Sequence, residues 1–175
     1  DVSLRAGPGD RVATVTFGPF GTPEVGVDGG VASVRLKSPR LRPAISRWRA
    51  ELADNVLWDV EARSGLGNLA LDLRTLRLER VQARSVLGRV HITCPDTRGS
   101  RELELHTVLG EIVVTLPEGV GAQITIKRGT LGSVRQKNER LLAPGPGRYI
   151  TADYDTAAAR VDNRIASAAG DITLV

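Results

Sequence analysis

Aromatic side chains are nearly missing from this 175-residue sequence: two Trp, two Tyr and two Phe make up 3% of it, and there is no methionine. The 41% hydrophobic fraction must therefore pack as Val, Leu, Ile and Ala, which suits thin stacked layers better than a thick globular core. Cysteine occurs once, at Cys94. It falls on an inward strand position and reads as a small buried hydrophobe, so cysteine usage does not report a redox compartment. No apolar run approaches the roughly 18 residues needed to span a bilayer, and no leader pattern opens the chain. Because it starts at Asp1 without any methionine, we expect a piece of a longer protein, with any membrane anchor outside it. Lysine is scarce too. Only Lys37, Lys127 and Lys137 stand among 24 basic residues, an arginine bias consistent with a GC-rich or heat-adapted source. The net charge is +4, but basic and acidic residues are interspersed and lack interleaved aromatics, which argues against nucleic acid as a partner.

What is present is repetition. Val60 to Leu73, Val81 to Cys94 and Leu103 to Leu116 spell one pattern three times, around glycines Gly67, Gly88 and Gly110. A fourth copy follows at Gly132 and a weaker one at Gly170-Asp171-Ile172-Thr173-Leu174. The first four glycines lie 21, 22 and 22 residues apart. Within each copy apolar residues alternate with polar ones on both sides of the glycine, which predicts strand, tight corner, strand. Inward residues such as Val60, Ala62, Leu69, Leu71 and Leu73 then stack on Val81, Ala83, Val90, Ile92 and Cys94 as aliphatic columns. Pro95 and Pro117 close two of the second strands. In the fourth copy Ile124 and Ile126 sit one residue further from their glycine, a shift that a bulge at Gly129 absorbs. A period this short leaves no room for two helices per repeat. The predicted fold is all-β: one domain over residues 1–175, a single-stranded parallel β-helix or solenoid, right-handed by the usual crossover rule.

The remaining segments are assigned around that stack. Residues 1–57 are expected to hold N-terminal strands and a short capping helix, 58–135 the regular coils, 136–157 a loop insertion and 158–175 the terminal coil. Within the first segment, residues 11–17 and 25–36 alternate about a turn-rich stretch and read as a hairpin or a degenerate opening coil. The doublet Gly29-Gly30 lacks the flanking pattern of a phosphate-binding loop. Ile45, Trp48 and Leu52 recur at helical spacing behind Pro43, with Arg42, Arg47 and Arg49 on the outer face. Such a helix covers the open end of the stack, or lies on an anionic surface. The loop around Pro144-Gly145-Pro146-Gly147 is either a connector or a recognition insertion.

Several phrases together resemble the toast-rack domain family: the Trp58 to Leu73 run, the Leu-Gly-x-Val and Leu-Gly-x-Ile corners, Thr115-Leu116-Pro117-Glu118-Gly119-Val120, and the closing Gly170-Asp171-Ile172. The resemblance covers roughly Trp58 to Val175 and its motifs specify a fold, not a chemistry. It implies a bacterial β-solenoid domain without a cofactor, associated with the membrane at the cell envelope through a segment outside this chain. Some such domains belong to regulators of the cell-wall-stress response, so the implied partner is a protein such as a membrane sensor or regulator.

No catalytic constellation stands out. His91 and His106 fall in different columns, no nucleophile elbow occurs, and Asp72, Glu61 and Glu104 are scattered over the coil. We expect no enzyme. One row does stand above background: Arg63, Arg84, His106 and Lys127 occupy equivalent outward positions about 5 Å apart. It is a candidate site for an anionic polymer or lipid headgroup, although Glu61, Gln82 and Glu104 form a parallel row able to neutralise it. Three functions follow: sensing or scaffolding through protein contacts, binding of an anionic envelope polymer, or end-to-end self-assembly as a structural oligomer.

Overall fold

A computed structural model of the chain describes residues 2–7, 13–17, 23–28, 31–36 and 48–175, and all regular structure in them is β. Five strands come first: β1 (Val2–Gly7), β2 (Ala13–Phe17), β3 (Pro23–Asp28), β4 (Val31–Leu36) and β5 (Trp48–Ala53). The repeats then give strand pairs β6 (Leu57–Leu66) with β7 (Leu69–Asp72), β8 (Arg77–Leu87) with β9 (Val90–Thr93), β10 (Gly99–Leu109) with β11 (Ile112–Thr115), and β12 (Val120–Leu131) with β13 (Val134–Gln136). A hairpin of β14 (Leu141–Gly145) and β15 (Arg148–Thr151) precedes the last pair, β16 (Ala159–Ala169) with β17 (Ile172–Leu174).

The expected closed, single-stranded parallel β-helix does not form. Each repeat supplies two strands, the long one to a seven-stranded sheet and the short one to an eight-stranded sheet. The links back, as at 73–76 and 94–98, are turns and bends too short to lay down a third wall. Nor is the pairing wholly parallel: β2 runs antiparallel to β5, and β15 runs antiparallel to both β12 and β14. The capping helix is also absent from the described residues. Trp48–Ala53 is strand β5, paired in parallel with β1 from Val2↔Trp48 to Gly7↔Ala53, while 41–47 lie outside the described residues. The open ladder of β1 outweighs the helical spacing, since tertiary pairing overrides weak local preference. β3 and β4 pair antiparallel, from Pro23↔Leu36 to Asp28↔Val31.

The stacking order departs from chain order. In the seven-stranded sheet the long strands run β6, β8, β10, β16, β12, and in the eight-stranded sheet the short strands follow as β7, β9, β11, β17, β13. The last repeat thus lies between the third and the fourth. The 38 residues from Gly132 to Gly170 make this possible: they run out through β14 and β15, which cover β12, and return through the turn at 152–156. The stretch expected to be a loop is therefore largely the antiparallel cap of that end. Arg140 anchors it, donating from Nη2 to the carbonyls of Pro117 and Val120 at 3.2 and 2.9 Å.

Columns of apolar side chains hold the two sheets together. Ala62, Ala83, Leu105, Ile165 and Ile126 are in register across the long strands, and Leu69, Val90, Ile112, Ile172 and Val134 across the short ones. Burying each large member contributes about 1.5–3 kcal/mol. Trp58 covers the N-terminal end of this core and donates from Nε1 to the Ala53 carbonyl at 2.8 Å. The predicted bulge in β12 is present between Arg128 and Leu131.

At the corners Gly67, Gly88, Gly110, Gly170 and Gly132 form a column of their own, linked by backbone bonds such as Gly110 N–H to the Ala169 carbonyl, 3.0 Å. Gly110 explains the residue choice. Its φ is 145°, and a Cβ there would collide with the Gly88 carbonyl oxygen, so both conformation and approach demand glycine.

Candidate functional site

The outward face of the long-strand sheet presents straight rows, because the units stack without a register shift from β8 to β16. Arg63, Arg84 and His106 are aligned as expected, and Lys127 completes the same row. Ala166 of the intercalated β16 stands between His106 and Lys127, so the basic row has a gap that chain order did not foretell. The neighbouring row reads Glu61, Gln82, Glu104, Arg164 and Thr125. Its acids are largely engaged. Glu61 pairs with Arg63, Glu104 accepts from Gln82 Nε2 at 3.0 Å, and Arg164 pairs with Glu102 and lies 3.8 Å from Glu104. Arg84, His106 and Lys127 make no ion pair among the described residues and are exposed.

Next to this row the alternation inverts. Approaching each glycine, the inward positions are Ser64, Ser85, Thr107 and Ser167, where the converging sheets leave room only for small side chains. Ser85, Thr107 and Ser167 are buried and their hydroxyls lack a partner within the protein. The outward positions are aliphatic instead. Leu66, Leu87, Leu109 and Leu131 lie in one row with Ala169 and are 74, 42, 48 and 69% exposed, beside the exposed Val86 and Val108. Sequence reading missed this ridge, treating the leucines as corner residues. The signal was there: Val86-Leu87 and Val108-Leu109 are consecutive apolar pairs, and a period of two turns at least one of each pair outward.

An open, polar depression of about 410 Å³ lies further along the same face, between Glu79, Ser100, Glu102, Gln123, Asp162 and Arg164. Asp162 accepts from the Tyr154 hydroxyl at 2.6 Å and from Ser100 Oγ at 3.3 Å. Burial, with the Asp162 carboxylate beside it, pushes the Tyr154 phenol up to about 12.

The other chemistry-bearing residues are dispersed. His91 is on β9 and His106 on β10, in different sheets, and His91 Nε2 lies 3.3 Å from Thr115 Oγ1. Asp72 is in the short-strand sheet, where its hydrogen bonds to Arg74 hold its carboxyl below the usual value. No group of three or more His, Cys, Asp or Glu able to hold a metal ion occurs among the described residues. Cys94 is fully buried; burial raises its thiol to about 12, and Asn163 Nδ2 donates to its Sγ at 3.6 Å. No helix among the described residues is long and apolar enough to cross a membrane.

No protein-family model matches the chain, and no curated protein is significantly similar to it. Membership of the toast-rack family is therefore not established. Among solved structures the fold is shared with a "putative cell adhesion protein" from Clostridium sporogenes, with a TM-score of 0.86 at 16% identity over 99% of this chain and 86% of that one. At that identity the likeness concerns the fold alone.

Proposed function

We propose that this chain is a non-catalytic recognition domain of a bacterial envelope protein, working in sensing or scaffolding through protein contacts. The observation that carries the reading is the fold shared over nearly its whole length with a protein described as a "putative cell adhesion protein", which points toward the cell surface. The rigid outer face of the long-strand sheet supports it, because straight rows of exposed side chains at fixed spacing suit repeated contacts with an extended partner. In keeping with the toast-rack resemblance of its sequence, the partner we propose is a membrane sensor or regulator of the cell-wall-stress response.

The test is site-specific photocrosslinking in the native cells, with the crosslinker at Gln82 and Gln123 on the long-strand face and, for comparison, at Ala70 on the short-strand sheet. The reading expects a membrane regulator crosslinked from the first two positions and not from the third. If only wall polymer or copies of the chain are captured, protein sensing is wrong. A second reading, binding of an anionic envelope polymer, is favoured by the unpaired Arg84, His106 and Lys127. It expects binding to purified teichoic acid that is lost at high salt and on Arg84→Gln.

A further inference from the structure

The ridge of leucines and the basic row beside it form one edge of the molecule, and neither serves the packing of the core. The ridge runs straight for about 19 Å, four strand intervals. Its members stand outside the buried core cluster, yet Leu is found in four of five stacked units and Ala in the fifth. A contiguous exposed apolar strip of this kind marks a surface that meets something apolar. Two residues back along each strand from Val86 and Val108, about 7 Å away, stand the unpaired Arg84 and His106, with Lys127 in the same row. Aliphatic side chains on a convex corner with cations a few ångströms behind them match a bilayer boundary. There the acyl region begins about 5–10 Å below the headgroups.

We propose that this edge docks the domain on an anionic lipid bilayer: Leu66, Leu87, Leu109 and Leu131 enter the acyl boundary, and Arg84, His106 and Lys127 meet the headgroups. A second copy of the chain fits less well, because a two-fold contact along the ridge sets basic rows against the same interface. The net charge of +4 favours a negative surface over a zwitterionic one. The inference does not depend on the protein-contact reading above: the basic row lies on the outward face that contact uses, but the leucine ridge serves only the bilayer contact, and the leucine variants test it separately.

Flotation of the 175-residue chain with vesicles tests it. Phosphatidylcholine vesicles containing about one-third phosphatidylglycerol are expected to carry the protein, and pure phosphatidylcholine vesicles to carry at least about tenfold less. The double variant Leu87→Ser/Leu109→Ser is expected to lose binding about tenfold or more, and Arg84→Gln/Lys127→Gln to weaken it and flatten its salt dependence. Leu142→Ser, at a leucine outside the ridge that is more exposed than Leu87 or Leu109, is expected to bind as the unaltered chain does. Unchanged thermal unfolding of each variant shows that folding is intact. Equal binding by the leucine double variant overturns the proposal, because adsorption would then be electrostatic only. So does leucine-dependent self-association without vesicle binding, which would make the ridge a contact between copies.

Discussion

Two repeats with the same pattern, β16–β17 and β12–β13, have opposite surroundings. The last repeat in the chain is the more regular of the two. β16 runs in register with β10 on one side and β12 on the other, from Gly99↔Ala159 and Val120↔Ala159 onward. The fourth repeat lies at the end of the stack, carries the bulge between Arg128 and Leu131, and turns its free side to the antiparallel β15. Regularity follows position in the stack, not position in the chain. An inner unit must satisfy two ladders at once, whereas an outer unit can absorb an extra residue on its open side.

The sharpest way to break this comparison is to remove the inner unit. Ending the chain at Ala158 takes the ladder partner from both β10 and β12, so we expect no cooperative urea transition and no native near-UV circular dichroism. A two-state transition of undiminished midpoint would show that the fourth repeat packs on the third directly. Smaller, and graded by position, are the corner glycines. Gly170→Ala, whose Cβ would collide with the Gly110 carbonyl oxygen in the middle of the stack, is expected to cost about 3–5 kcal/mol in urea unfolding. Gly132→Ala, whose Cβ would collide with the Gly170 carbonyl oxygen, should cost less because the end unit that carries it can shift outward, and Gly65→Ala, where a Cβ meets nothing, about 0.5 kcal/mol or less.

In the shared column, Ile165→Ala in the inner unit is expected to cost about 3–4 kcal/mol and Ile126→Ala in the outer one about 2–3, the difference reflecting how far each cavity can collapse. The reverse order would place the rigid part of the core at the capped end. Asn163 offers a gain instead. It stands in the inward column between Leu103 and Ile124, fully buried, with Oδ1 unpartnered and only the Cys94 thiol to receive its amide. Asn163→Val should raise stability by about 1 kcal/mol. Destabilisation would mean that the polar pair is worth more than its desolvation.

The smallest effect concerns the tie between the two repeats. Asp171 of the inner corner accepts from the Ser133 N–H and hydroxyl, both at 2.9 Å, and these bonds hold its carboxyl below the ordinary 3.8. A depressed folded-state value means the contribution is present above the unfolded value and disappears as pH falls through the folded one. Asp171→Asn is expected to make thermal stability flatter below pH 4 and slightly lower at neutral pH. An unchanged acid limb would show that the exposed contact contributes nothing.

Strand, corner and column were legible because alternation and glycine spacing report local geometry directly. The bulge at Gly129 was legible as a phase shift between Ile124 and Gly132. Which unit touches which was not, because every long strand offers much the same ladder, and only the 38-residue gap before Gly170 hinted at an excursion. The helix expected at Ile45 to Leu52 shows a different difficulty. Trp48 and Leu52 are four residues apart, a spacing that satisfies both the helical and the strand period, and the free ladder of β1 decided between them. Of the candidate site, the basic row could be read from the repeats, but Ala166 within it could not, and the leucines were hidden by the habit of assigning apolar residues to the core.

The order of the stack also sets a clock on maturation. A chain that emerges from the ribosome N-terminus first presents β6 to β11 as a growing stack, and β12–β13 arrives with no place to pack until Val175 has been made. Between those events the slot left for the last repeat is bounded by two unpaired strands. A neighbouring molecule's β16–β17 fits it as well as the chain's own, so strand exchange is the failure that crowded synthesis favours. Final closure waits for that repeat, and factors that hold the chain extended until β17 has emerged act on that step.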